Sequence, residues 1–232
     1  EMTLALTQLT EILVHHPKRV HIQIGIGPDY FIEIAKLRAF RKLVKEVTKA
    51  FKWNGEIRIS AIPSTYYLST TEVNNNLLRL TTMAMAAVIG GTDQITLPAF
   101  DFSDSSFSKR VTRNIQLILE QEAFLSKVND PALGTYFIEE LTANIADVAW
   151  TNFQKLEGDG GFLVNLKNGS IESMINKAHK KRLEQHIKGD KTQIGENENT
   201  HDKTDLIDAD VTNWNGIKQK NLSVELKMEV HQ

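Results

Sequence analysis

Two short segments of the chain alternate apolar and polar residues. In His21–Gly27 (HIQIGIG), Ile22, Ile24 and Ile26 share one face, and His21, Gln23 and Gly25 share the other. In Glu56–Ile62 (EIRISAI), Ile57, Ile59 and Ala61 oppose Arg58, Ser60 and Ile62. Both read as strands, and a third apolar run, near Gln94–Ala99, reads as another. Between and after them, apolar residues recur every three to four positions. That spacing predicts helices over Thr3–His15, Tyr30–Phe51, Asn75–Ile89, from Ser106 onward, Thr135–Leu156 and Ser170–Lys188. Pro17 follows the first of these, and Asp29 stands where an N-cap is needed for the second. Asn75–Ile89 carries Leu77, Leu78, Leu80, Met83, Met85 and Val88 on most of its sides and is expected to be heavily buried. Gly90-Gly91 supply its left-handed stop.

Strands alternating with helices give an α/β class with a parallel sheet. Chemistry in such folds gathers at the C-terminal ends of the strands. In a barrel one face of each strand packs on helices and the other looks into the lumen. The all-isoleucine face of the first strand should meet helices. The candidate lumen set is then Gln23, Arg58, Ser60, Ile62, Thr96 and Pro98, together with His21, Gly25 and Gln94. For catalysis this is a poor set, with one arginine and no carboxylate. Arg58 reads equally as an anion anchor or as half of a barrel-filling ion pair.

Three strands leave two raw sheet edges, so self-association or completion by another segment is expected. The helix from Ser106 puts Lys109, Arg110 and Arg113 at its N-terminus and Glu120 and Glu122 at its C-terminus, against the macrodipole, so these charges either have partners or form a solvated face.

Composition narrows the function classes. The chain has 232 residues, 41% hydrophobic and 24% charged, with a net charge of −2. No global field favours nucleic acid or an anionic membrane, and no apolar run approaches the ~20 residues of a membrane span. The absence of cysteine excludes disulfides and thiolate metal sites and fits a reducing, cytoplasmic setting. The start has no secretory signature. It opens on Glu1 and is expected to be a piece of a longer polypeptide.

Glycine-rich nucleotide loops, a phosphate-loop lysine and a serine-nucleophile elbow are all missing. His15, His16, His179 and His186 are expected at the surface, not as metal ligands, and no residue is assigned a catalytic, cofactor or metal role. Beyond Gly189 the chain turns polar. It divides into residues 1–157, a helical extension 158–188, and a linker or tail 189–232 in which Val211–Trp214 and Leu222–Met228 are docking candidates.

Several stretches resemble the substrate-binding barrel of the methylmalonyl-CoA mutase family, adenosylcobalamin-dependent isomerases, over about Ile24–Asn144. YFIEIAKLRAFR (residues 30–41) resembles the family's A-K-M/L-R-A-x-R segment. NNLLRLTTMAMAAVIGGT (75–92) resembles N-N-x-x-R-T-x-x-A-x-A-A-V-x-G-G-T. Ala99-Phe100-Asp101 keeps A/S-F-D, RNIQLILEQE (113–122) resembles R-N-T-Q-x-I-x-x-E/Q-E, and DPALGTYFIEELT (130–142) resembles D-P-W-x-G-S-Y-x-x-E-x-L-T. The resemblance implies a partial eight-stranded TIM barrel, its last three strands with their helices, followed by a helical and extended linker.

The departures fall on the lumen face. Where the family reads R-A-H-x-Q-T-S-G-W-S-L-T, this chain keeps Arg58, Ser64 and Leu68, but Ser60 and Ile62 stand in the places of His and Gln. Along the third strand Thr96 and Pro98 replace His and Asn, and Phe102 replaces Glu. This resembles the small, non-catalytic subunit of the heterodimeric mutases, which implies a catalytic large subunit as partner. It also implies adenosylcobalamin for the whole enzyme and none on this chain, which lacks the family's cobalamin-binding Asp-x-His-x-x-Gly. Two other readings are a competent mutase of altered acyl specificity, with Gln23, Arg58 and Thr96 lining the pocket, and a coenzyme A-binding module using the basic helix Lys36–Lys49.

Overall fold

The computed structural model describes residues 1–198, 213–214, 217–218, 220–223 and 225–226. Its elements are α1 (Met2–Leu13), β1 (Arg19–Ile26), α2 (Tyr30–Ala50), β2 (Glu56–Pro63), α3 (Asn75–Ile89), β3 (Gln94–Ile95), α4 (Ser106–Gln121), α5 (Tyr136–Gly158), α6 (Gly161–Lys167), α7 (Ser170–Ile187), β4 (Asn213–Trp214) and β5 (Ile217–Lys218). β1, β2 and β3 form one parallel sheet in that order, while β4 and β5 make a separate antiparallel pair.

The isoleucine faces meet helices, as the alternation requires. Ile24 and Ile26 of β1 and Ile59 and Ala61 of β2 pack with Leu6, Leu9 and Leu13 of α1, Phe40 and Val47 of α2, Met83 and Ala87 of α3, and Phe153 of α5. One sheet face is thereby closed by helices. Phe40 is fully buried at the centre, and truncating such a side chain costs about 3–5 kcal/mol. A smaller core joins Leu68, Leu80, Phe100, Ile115 and Leu119 beneath α3 and α4.

Five expectations need correction. The third strand is only Gln94–Ile95: Thr96 still donates its N–H to the Ala61 carbonyl, but Pro98 has no N–H and the chain leaves the ladder. Of the two glycines after α3, only Gly91 is left-handed (φ 81°). Gly90 is helical, and a Cβ there would lie 2.8 Å from Leu37 Cδ1, so its role is close approach of α3 to α2. Leu78 is 71% exposed although α3 otherwise sits deep. His179 and His186 are not surface residues: His186 is buried with Nδ1 donating to the Arg182 carbonyl, and His179 pairs with Glu225. Asp29 precedes α2 without capping it through its side chain, and instead accepts from Lys191. The misdirected charges of α4 are in part matched, since Lys109 pairs with Asp104 and Arg110 lies over the Phe107 ring.

Candidate functional site

The sheet face away from the helices is largely exposed among the described residues. Register places His21 beside Arg58, then Gln23, Ser60 and Gln94 in one row, then Gly25 beside Ile62. His21, Gln23, Arg58, Gln94 and Thr96 are all exposed. Ser60 is buried, and its hydroxyl pairs with His21 Nε2 at 2.8 Å. Arg58 donates from Nε to Glu56 at 2.8 Å near the start of β2, away from the strand ends. Its partner is thus an exposed carboxylate two residues back in its own strand.

At the strand ends lies a mouth of about 290 Å³ lined by Gly25, Ile62, Pro63, Ser64, Thr65, Tyr66, Pro98 and Lys220. Of the six candidate positions, Ile62 and Pro98 line it, while Gln23, Arg58, Ser60 and Thr96 do not. The side chain of Ser64 caps the turn Thr65–Tyr67 by accepting from the Tyr66 N–H. Burial, then the Glu225 carboxylate, pushes the Tyr66 phenol well above its ordinary value. Lys220 comes from the far end of the chain, as does the patch covering Tyr66, where Leu222 and Leu226 are buried. Alternation and spacing could not have placed that segment here, because its contacts lie about 150 residues away in sequence, Asn221 to Leu68 for example.

The buried polar groups around the mouth act as clamps between elements. Asn76 is fully buried; its Oδ1 accepts from the Ser69 N–H, and its Nδ2 donates to the carbonyls of Ser69 and Phe100. Arg79 donates to Asn76 Oδ1 at 3.0 Å and to the Ile194 carbonyl at 2.5 Å. Asp93 accepts from the Ile59 N–H at 2.7 Å and pairs with Arg41, joining β2, the start of β3 and α2. Arg38, buried in α2, forks onto Asp130 and Glu139. Asp101 accepts from Ser108 Oγ and the Ser103 N–H, and these bonds outweigh burial to hold its carboxyl below the ordinary value.

The basic helix is committed to the same framework. Lys36 is nearly enclosed by Glu1 and Glu33. Burial alone would lower its pKa, but the two carboxylates raise it. Lys42 reaches Glu139. Four of the cations proposed for phosphate binding, Lys36, Arg38, Arg41 and Lys42, therefore already face carboxylates.

A larger cleft of about 650 Å³ lies beside the β1–α2 loop, lined among others by Asp29, Asn75, Arg79, Lys191 and Ile194. Of its charged residues, Lys191 pairs with Asp29 at 2.8 Å, and Arg79 hydrogen-bonds the uncharged Asn76 amide and the Ile194 carbonyl. Among the described residues no group of three potential metal ligands occurs, and no helix is long and apolar enough to cross a membrane.

The family model for methylmalonyl-CoA mutase matches residues 15–229. The chain belongs to the methylmalonyl-CoA mutase family. Among its relatives, a methylmalonyl-CoA mutase small subunit of Porphyromonas gingivalis is 37% identical over 71% of this chain and 28% of its own length. A methylmalonyl-CoA mutase of Escherichia coli is 31% identical over 83% of this chain and 28% of its own. A large subunit from Propionibacterium freudenreichii subsp. shermanii is 35% identical over 66% and 22%. The chain thus spans 22–28% of the length of these mutase relatives.

The stretches that carry the mutase resemblance are those the clamps tie together. Residues 30–41 meet 130–142 through Arg38, and 75–92 meets 99–101 through Asn76. Among the described residues, no imidazole lines the mouth; His21 bonds Ser60, His179 pairs with Glu225, and His186 lies in the larger cleft with Nδ1 bonded to the Arg182 carbonyl, so none is placed at the mouth to hold a cobalamin.

Proposed function

We propose that this chain is the C-terminal part of the substrate barrel of a non-catalytic small subunit of adenosylcobalamin-dependent methylmalonyl-CoA mutase. The whole enzyme interconverts methylmalonyl-CoA and succinyl-CoA in the cytoplasm, and this subunit scaffolds a catalytic large subunit. The cofactor supplies the radical chemistry and is carried elsewhere in the assembly.

The observation that carries the reading is the mouth itself. Proton transfer near neutral pH needs a group whose pKa lies near the working pH. Among the described residues, the mouth's titratable groups are Tyr66, which burial moves away from neutrality, and a lysine. The largely exposed polar face of the sheet supports the barrel part of the proposal, since a lumen face is what is left uncovered when the remaining strands lie outside these residues.

The test is turnover of methylmalonyl-CoA with adenosylcobalamin by the full-length parent chain, alone and with its large subunit. Activity is expected only with the large subunit; turnover by the parent alone overturns the reading. The double substitution Ser60→His with Ile62→Gln is expected to restore no activity to the parent, and a large gain would confine the loss to β2.

A further inference from the structure

We propose that the surface formed by Thr65–Thr70 and the inner side of α7 is a peptide-docking groove, and that residues 220–226 are its resident ligand, a clasp that can detach without unfolding the sheet and its helices. The inference is independent of the mutase reading.

The clasp is read at four points. Asn221 Nδ2 donates to the carbonyls of Thr65 (2.9 Å) and Leu68 (3.0 Å). Ser223 Oγ lies 2.6 Å from Thr70 Oγ1 and accepts from the Thr70 N–H. Leu222 and Leu226 are buried on Tyr66 beside Leu183. Glu225 pairs with His179 at 3.1 Å. The Glu225 N–H donates to the Asn221 carbonyl, so the segment makes one helical turn with leucines four residues apart on one side. Two apolar anchors at that spacing, an amide that reads backbone carbonyls and one carboxylate are the marks of helix-in-groove recognition.

Two features make the clasp separable. Its apolar contacts form a small cluster of their own, in which Tyr67 is the residue also packed against the core that joins the sheet to α1, α2, α3 and α5. The groove is also shaped without it: Arg182 lies 5.7 Å over the Tyr66 ring and 5.9 Å over the Tyr67 ring, and Gln193 donates to the Tyr67 carbonyl. Since Lys220 helps to line the mouth, release of the clasp would open the strand ends.

The experiment uses a fluorescein-labelled peptide of residues 220–228 (KNLSVELKM) and the full chain carrying Leu222→Asp, read by fluorescence anisotropy. Binding is expected to the substituted chain and not to the unsubstituted one, and a peptide carrying Asn221→Ala should bind at least tenfold more weakly. Equal binding to both chains, or none to the substituted chain, overturns the proposal. So does loss of the cooperative unfolding transition in the substituted chain, which would make the clasp part of the core. Hydrogen exchange on the unsubstituted chain decides without any substitution. The Thr70 amide should exchange through an opening that leaves Ile24 and Ile59 protected, and exchange of all three together sinks the idea.

Discussion

Asn76 shows how much of this site is framework. Its side chain satisfies one N–H and two carbonyls in a fully enclosed position. Removing one partner strands buried polar groups at about 1–3 kcal/mol. Asn76→Ala should therefore lower stability by about 2–3 kcal/mol in urea unfolding, and a loss under ~0.5 kcal/mol would mean that water replaces the amide. Two carboxylates give opposite pH signatures. Asp101 has a depressed pKa in the fold, so its contribution is present above the ordinary aspartate range and is lost as pH falls through the lowered value. Glu33 has a raised one, chiefly from burial, so its contribution is complete below the ordinary glutamate range and is lost as pH rises through the raised value. Asp101→Asn should flatten the acid limb of the stability profile, and Glu33→Gln should flatten the fall just above it. Unchanged profiles in unfolding titrations would contradict both assignments. The buried histidines were not legible in sequence, since His179 and His186 sit on a helix with little apolar periodicity and are covered by residues remote in the chain.

Local periodicity determined the elements well wherever the partner surface was nearby. The faces of β1 and β2 follow directly from alternation, because a one-residue slip would turn the isoleucines out of the helical core. β3 is shorter than the apolar run Gln94–Ala99 because Pro98 has no N–H with which to continue the ladder. α6 lies within the helical extension expected over 158–188, and its separation from α5 and α7 comes from positive-φ glycines that periodicity does not reveal. The Gly90-Gly91 pair splits into two physical roles with separate outcomes. Gly91→Ala meets no neighbour and pays only the left-handed strain, about 1–2 kcal/mol. Gly90→Ala pushes a methyl against Leu37 and the Ala86 carbonyl, so it should destabilise by overpacking, about 1–3 kcal/mol, and should be relieved in part by Leu37→Ala, which removes Cδ1 at 2.8 Å but keeps Cβ at 2.9 Å. Additive losses in that double substitution would refute the contact.

At the largest scale, and among the described residues, helices close one face of the sheet, the other face is largely exposed, and β1 and β3 form its two edges. Such edges template association. Light scattering is expected to show association that grows with protein concentration, and a monodisperse monomer across the accessible range would argue against it. The candidate site was partly legible at this scale. Ile62 and Pro98 could be placed at the strand ends from sequence, whereas the chain's own tail roofing that mouth depended on contacts that no local pattern encodes.

The free edge of β1 is not uniformly free. At Gly25 the N–H donates to the Glu1 carboxylate at 2.7 Å, and the carbonyl accepts from Lys36 Nζ at 2.7 Å. These two side chains occupy the bonds that an incoming strand would need there, so a neighbour docking on this edge can zip along His21 and Gln23 but must stop, or evict an ion pair, at Gly25. The edge thus has a built-in ratchet stop that sets how far a partner strand can slide.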